Sequence, residues 1–415
     1  MIKKIKFLYK TLGLVILKKQ IIIAFNKLKR NQNQNQIPFK SFGLKNKHVF
    51  FGYYDLNPIS NDNSKILAIA VPLKRRTSSV ALIGYFNTEN EKEFCEIGTT
   101  QTWCWQQGAR LSWSLNNDKI IIYNNLYNKQ YGCVFQDIKT KKVVKQLSFP
   151  IYDLSNNEKY GLSLNFSRLQ RLRAGYGYDN IEEDNTKNEK ASSEDGVFLI
   201  NVDNNTSKLI ISLDKLSNIE PQDSMKGAEH YINHLSWNKS GIRFLFFHLW
   251  TKGDFRSSRL FTADKNGGNI CLLENEEAVS HYDWKNDDYI CLTTHSKKFG
   301  SRYSIYKDKS KERVILNPKI LDKDGHPTYH PSDEDLFLSD TYPDKYGERK
   351  LFTYKVKKEK INIIGAFNSP IKYRSDYRCD LHPRWNKDGT KIAFDSTHTN
   401  KRTINIIDFE DIIHT

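Results

Sequence analysis

Near its C-terminus the chain reads "YRCDLHPRWNKDGTKIAFDSTH", residues 377–398. Asp380 and His382 stand two apart, just ahead of a proline and an aromatic residue. A carboxylate and an imidazole at that spacing can share a divalent cation, or can simply open a strand whose alternate residues face one way. Three more histidines precede aromatic residues in the same manner: His234 in "NHLSW", His281 in "SHYDW" and His326 in "GHPTY". A neutral imidazole serves equally as general base or as metal ligand near neutral pH. One such histidine is more often a hydrogen-bonded structural residue. Four at equivalent positions of a repeat converge in space, so the elements carrying them decide the matter.

Those elements recur. An aromatic or polar position is followed by a turn rich in Asn, Ser, Asp and Gly, then by an apolar, β-branched run. The pattern begins at Tyr53, Leu111, Tyr152, Leu235, Tyr282, Pro327 and Pro383, seven copies in all. The last four aromatic anchors, Trp237, Trp284, Tyr329 and Trp385, are 47, 45 and 56 residues apart. A period near ~45 residues with several short strands per repeat predicts propeller blades. The fold class expected is all-β, a seven-bladed β-propeller over residues 37–415. Two insertions, 166–195 and 214–230, break the period, and loops of that length in a compact fold usually serve a function.

Composition bounds the rest. Hydrophobic residues make up 38% of the 415 and aromatics 13%, too apolar for a disordered chain. Of a formal net charge of +16, the first 31 residues supply nine Lys/Arg and no acid. Their apolar runs, "TLGLVIL" and "IIIAF", are split by Lys18 and Lys19, so neither spans a bilayer. No small-residue cleavage site follows them. Residues 1–36 are therefore expected to be a basic amphipathic helix making peripheral contact with an anionic membrane through residues 1–31, then a polar linker "NQNQNQ". Six scattered cysteines without a CxxC pair suit reduced thiols. Together these features predict a cytoplasmic protein at the inner membrane. No zinc-knuckle, RNP or helix-turn-helix signature points to nucleic acid.

The blade starts "SHYDW", "GHPTYHPSDEDLFLSD" and "LHPRWNKDGTKIAFDSTH" resemble those of the oligogalacturonate lyases, over most of residues 225–410. That family consists of seven-bladed propellers that cleave pectic oligouronides by β-elimination with a divalent metal, typically manganese. The resemblance implies that His281 is the catalytic base, that Arg259 assists it, and that His326 and His382 are metal ligands. The family's metal motif, Gln-x-x-His-x-His-Pro, here reads "YRCDLHP". Asp380 therefore stands at a ligand position normally held by His, and Tyr377 at the position of the Gln. The chain is similar to a divergent branch, one associated with bacterial surface-polysaccharide loci.

β-Elimination on a uronate requires neutralisation of the carboxylate, a base for the C5 proton, and a donor for the leaving oxygen. In that scheme His326, His382 and Asp380 hold the ion, Arg259 clamps the carboxylate and His281 takes the proton. His234, Gln107, Tyr377, Arg168 and Arg173 are candidate substrate contacts, the arginines being interleaved with Tyr176 and Tyr178 in a manner suited to acidic sugars. His230 and His248 read better as packing. The partner expected is an acidic oligo- or polysaccharide. Two other functions fit the same sequence. One is a membrane-associated glycosyltransferase of surface-glycan assembly, although no Rossmann-type nucleotide-sugar pattern is present. The other is a non-catalytic glycan-binding propeller.

Overall fold

A computed structural model describes residues 14–26, 37–74, 80–178 and 183–413. Its seven four-stranded antiparallel sheets form the seven-bladed β-propeller expected from the period. The inner strands are Lys47–Phe50, Ser112–Trp113, Asp153–Leu154, Glu229–Trp237, Ala278–Trp284, Thr328–Tyr329 and Arg384–Trp385, for blades 1 to 7. The ring is closed by the chain's start. Lys40–Phe42 pairs with Thr403–Asp408 as the outermost strand of blade 7.

Three of the aromatic anchors fasten one blade to the blade before it, whereas the indole N–H of Trp237 has no hydrogen-bond partner. The indole N–H of Trp113 donates to Pro58 O at 2.8 Å, that of Trp284 to Ser236 O at 3.2 Å, and that of Trp385 to Thr328 O at 3.1 Å. Two buried carboxylates add to the seams. Asp153 accepts from Trp237 N–H at 2.8 Å, and Asp283 from Tyr329 N–H at 2.6 Å. Burial pushes both carboxyls up to about 7. The repeat signal is thus the signature of inter-blade bonds, which a strand period alone does not require.

Blade 1 departs from the pattern. Its inner strand lies ahead of Tyr53, and "FGYYDLNP" leaves the sheet before pairing resumes at an isolated Ile59–Ile66 bridge. The displaced segment fills the channel. Gly52 permits this with φ of +137°, and a Cβ there would sit 2.9 Å from the Gln107 carbonyl. Asp395 accepts from the N–H groups of Phe51 and Gly52, while Arg384 donates to the carbonyls of Gly52 and Tyr53. Tyr54 spans the channel, donating to Tyr282 O and accepting from Tyr282 N–H. Beyond it a cavity of 490 Å³ opens at the other mouth, lined by Asp55, Arg110, Trp113, Trp237 and Trp385.

The first insertion carries a short helix, Phe166–Leu172, capped by Asn165. The second carries the helix Leu213–Ser217 and a turn at Asp223–Met225. Residues 14–26 are helical. Among the described residues no helix is long and apolar enough to cross a membrane.

Candidate functional site

The residues that precede the inner strands come together at one end of the channel. Backbone irregularities aim them there. Pairing slips between Asn233 and Ser236, leaving His234 at φ +57°, and slips again between Val279 and His281. His382 likewise has φ of +45°. Histidine tolerates that left-handed region better than most residues, at some cost in strain.

His281, His326 and His382 form a chain of rings. The His281–His326 centroids are 4.0 Å apart and the His326–His382 centroids 4.5 Å. His326 Nδ1 lies 2.6 Å from Asp340 Oδ1, and His382 Nδ1 donates to Gly52 O at 2.8 Å. Asp340 also accepts from the backbone N–H groups of His326, Leu381 and His382, so one carboxylate sets both ligand loops. The Nε2 atoms of His326 and His382 are buried and have no hydrogen-bond partner. Such atoms are costly unless something binds them, and imidazoles held through Nδ1 with Nε2 directed at a common point are typical of metal ligands. Asp380 completes the set, with ligand atoms of the three residues within 4.8 Å of one another. Two imidazoles and a carboxylate suit a divalent first-row ion.

Asp380 is also a charge junction. Arg378 Nε donates to its Oδ2 at 2.7 Å, and Arg349 Nη1 lies 2.8 Å from its Oδ1. Burial raises the Asp380 carboxyl, but Arg378 and Arg349 outweigh it and hold the group well below the usual range. His382 is kept neutral by burial and by neighbouring His326.

His281 belongs to a second constellation. Its Nδ1 is 3.0 Å from Asp324 Oδ1, and Asp324 also accepts from Ser280 and Thr293 hydroxyls at 2.6 and 2.8 Å. Burial, then His326, lowers the His281 pKa, and Asp324 opposes the shift. At neutral pH His281 is therefore neutral, its Nδ1–H held by Asp324, with no hydrogen bond to Nε2 among the described residues. An imidazole oriented in this way by a carboxylate has the geometry of the His–Asp pair in catalytic triads.

The 166–195 insertion covers this chemistry. Tyr176 lies 6.0 Å from His234 and 6.3 Å from Tyr53, ring to ring. Its hydroxyl accepts from Arg378 and, at 3.3 Å, from Arg173. The Arg173 guanidinium stacks on the Tyr176 ring at 4.1 Å and makes no other hydrogen bond among the described residues. Burial raises the Tyr176 pKa, but Arg173 and Arg378 prevail and lower it.

The structure thus brings His281, His326, His382, Asp380 and, at the rim, Arg173 into one region. His234 lies deeper, stacked on Tyr53 at 5.1 Å and bonded to Tyr152 and Asn233; Gln107 joins the same network through Tyr152 and Asn233. Three other residues lie elsewhere. Arg259 is on the third strand of blade 4, where it donates to His248 Nδ1 and to the carbonyls of Leu216, Ile219 and Glu220, fastening the second insertion. Arg168 spends its donors on the carbonyls of Thr186, Glu189, Lys190 and His230, fastening the first. Tyr377 turns outward to bond His48 Nε2 at 2.7 Å and packs on Trp105. Asp324, Arg349 and Arg378 are not candidates on sequence alone; Asp340, which ends "GHPTYHPSDEDLFLSD", reads there as a channel-lining residue or a turn former. Arg378 lies inside "YRCDLHP" and Asp324 stands two residues before His326 in "DGHPTY", so of the three only Arg349 lies away from a recognised motif.

No protein-family model matches the sequence, and no curated protein does. Solved structures do match. An oligogalacturonate lyase from Vibrio parahaemolyticus superposes with a TM-score of 0.60 at 10% identity, over 90% of this chain and 97% of that one. An oligogalacturonate lyase in complex with manganese gives 0.62 at 12% identity, over 91% and 97%. The fold is that of the oligogalacturonate lyases. It is not theirs alone, since the tricorn protease matches at 0.52 and 9% identity, this chain covering 35% of it. A shared propeller places strands and does not by itself assign a reaction.

Proposed function

We propose that this oligogalacturonate lyase-like propeller cleaves an acidic, uronate-containing glycan by metal-assisted β-elimination. The observation that carries the reading is the pair of buried, unpartnered Nε2 atoms on His326 and His382 beside the His281–Asp324 dyad. His326, His382 and Asp380 would hold a divalent ion, with Mn²⁺ the favoured metal because a manganese complex exists for a protein of this fold. A bound ion would withdraw charge from the substrate carboxylate and acidify the neighbouring C–H. Arg173 provides a guanidinium with donors to spare for that carboxylate. His281 Nε2 takes the C5 proton, and Asp324 stabilises the imidazolium that forms. Tyr176, its hydroxyl held between two arginines, is placed to supply a proton to the departing oxygen.

The test is formation of an unsaturated uronate, read by ultraviolet absorbance, from acidic oligosaccharides with added Mn²⁺. Activity is expected to fall by orders of magnitude, to a low residual rate, in His281→Ala, and metal content to fall in His382→Ala. Wild-type protein that binds stoichiometric metal yet forms no unsaturated product with any uronate glycan refutes the reaction. The second reading, a propeller that binds acidic glycans without cleaving them, is favoured by the two arginines already neutralising Asp380. Protein purified without metal, and binding none on titration, would establish that reading in place of the first.

A further inference from the structure

The exposed apolar side chains gather on the face that carries the histidine site. The helix at 14–26 leaves Leu14, Val15, Leu17, Ile21, Ile22 and Phe25 exposed. It is seated on the body through Asn26 Nδ2, which donates to Lys345 O at 2.9 Å, and through Ile23 over Gly347. The loop it rests on joins the second and third strands of blade 6. That loop carries Tyr342, whose ring is 6.1 Å from His326. In an antiparallel blade such a loop emerges on the same side as the residue that starts the inner strand.

At the corresponding ends of the second and third strands, three other blades carry exposed apolar residues. Blade 1 presents Leu73 and Val80, blade 4 Phe255 and blade 5 Phe299. Contacts confirm the side on which they lie. Phe299 packs under Arg302, which pairs with Glu277 at the start of the strand bearing His281. Arg256, next to Phe255, donates to Leu172 O at the end of the helix that covers the site. All the exposed phenylalanines among the described residues therefore belong to this face or its helix. The remaining exposed apolar residues are scattered, Leu115 and Ile242 at the opposite mouth and the others on outermost strands. Basic residues accompany the tips: Lys74, Lys252, Lys297, Lys298 and Lys345 are exposed beside them.

We propose that this face docks on an anionic lipid bilayer, with the helix lying in the interface and Leu73, Val80, Phe255 and Phe299 dipping beside it. The channel then opens onto the membrane. Apolar and aromatic tips flanked by lysines match the interfacial layer, where rings sit at headgroup level and ammonium groups reach lipid phosphates. A second copy of the chain is a poor occupant, because two heads with nine Lys/Arg and no acid each would repel. The proposal is independent of the reaction the site performs.

Flotation of the full-length protein with phosphatidylcholine vesicles, with and without phosphatidylglycerol, tests it. Binding is expected only with the anionic lipid and should weaken as salt is raised. F255S/F299S should lower the bound-to-free ratio by roughly tenfold or more, with unchanged circular dichroism and melting temperature. L115S/I242S, on the opposite face, should bind as wild type does. Failure of the wild type to float with anionic vesicles overturns the proposal. So does binding indifferent to F255S/F299S, which would leave the head as a tether and the site face unapposed. A concentration-dependent dimer that buries the helix without lipid would name a second copy as the occupant instead.

Discussion

Replacing Asp324 by Asn tests the acid–base assignment with little change of shape. The carboxylate sits 3.0 Å from His281 Nδ1. A unit charge pair at that separation is worth about 5 kcal/mol at an effective dielectric of ~20. Asp324 is partly in contact with solvent, its side chain 21% exposed, and screening leaves roughly half of that figure for the imidazolium formed as the proton is taken. About 2–3 kcal/mol corresponds to a loss of roughly a hundredfold in kcat/KM. The pH profile sharpens the test. Asp324 opposes the depression of the His281 pKa, so in Asp324→Asn the acid limb should move to still lower pH while the plateau falls. The assay is kcat/KM for unsaturated uronate formation across pH, repeated in the His281→Ala background, where the second substitution should add almost nothing. A variant within twofold of wild type, or one whose acid limb stays in place, refutes the dyad.

Three further outcomes follow from the geometry. Arg259→Ala should lower the melting temperature sharply, by a buried charged donor's worth of about 3–5 kcal/mol, while the folded fraction keeps its turnover; lost turnover at an unchanged melting temperature would restore Arg259 as a substrate clamp. Gly52→Ala places a side chain at φ +137° against the Gln107 carbonyl and shifts the carbonyl that fixes His382, so both melting temperature and metal affinity should fall; a variant with wild-type metal affinity refutes that role. Burial pushes His48 and His230 down to about 4. Both are neutral in the folded chain, whereas the unfolded chain takes up protons below about 6.5. Their contribution to stability is then full above about 6.5 and is lost as pH falls towards about 4, while Asp153 and Asp283, pushed up to about 7, contribute with the opposite sign over the same range; imidazole titration of His48 and His230 followed by NMR checks this, and midpoints near 6.5 in the folded protein would contradict it.

The blades were legible because their signal is physical. Trp113, Trp284 and Trp385 reach the preceding blade's carbonyl, and each turn must close a hairpin, so residue types recur at the period. The convergence of His281, His326 and His382 followed from position within the repeat. The partners that give these residues their character were not legible. Asp324 reaches His281 from the next inter-blade loop, a distance set by the stacking of adjacent blades; Asp340 reaches His326 across the first hairpin of the same blade. Arg259 shows the opposite failure. Its motif matched, yet a third-strand position turns its guanidinium to loop carbonyls. Tyr377 shares the seven-residue motif with Asp380 and His382, but the turn Ser375–Tyr377 swings it to His48. The blade 1 start was misplaced because "FGYYD" has the composition of a strand and leaves the sheet only under the grip of Asp395 and Arg384.

The closing strand sets an order on synthesis. Lys40–Phe42 leaves the ribosome ahead of all seven inner strands, yet its partner Ile404–Ile406 follows the last of them. Until then three residues of edge wait unpaired, and six blades must stack with an open seam between the first and the seventh. Contacts of such long sequence separation form slowly and expose intermediates to association. The basic stretch that precedes the strand gives this waiting end a charge that keeps nascent chains apart. Ring closure should therefore be the late, slow phase of refolding, and a chain permuted to begin at blade 1's inner strand, with Lys40–Phe42 moved behind Asp408, should fold faster than the natural order.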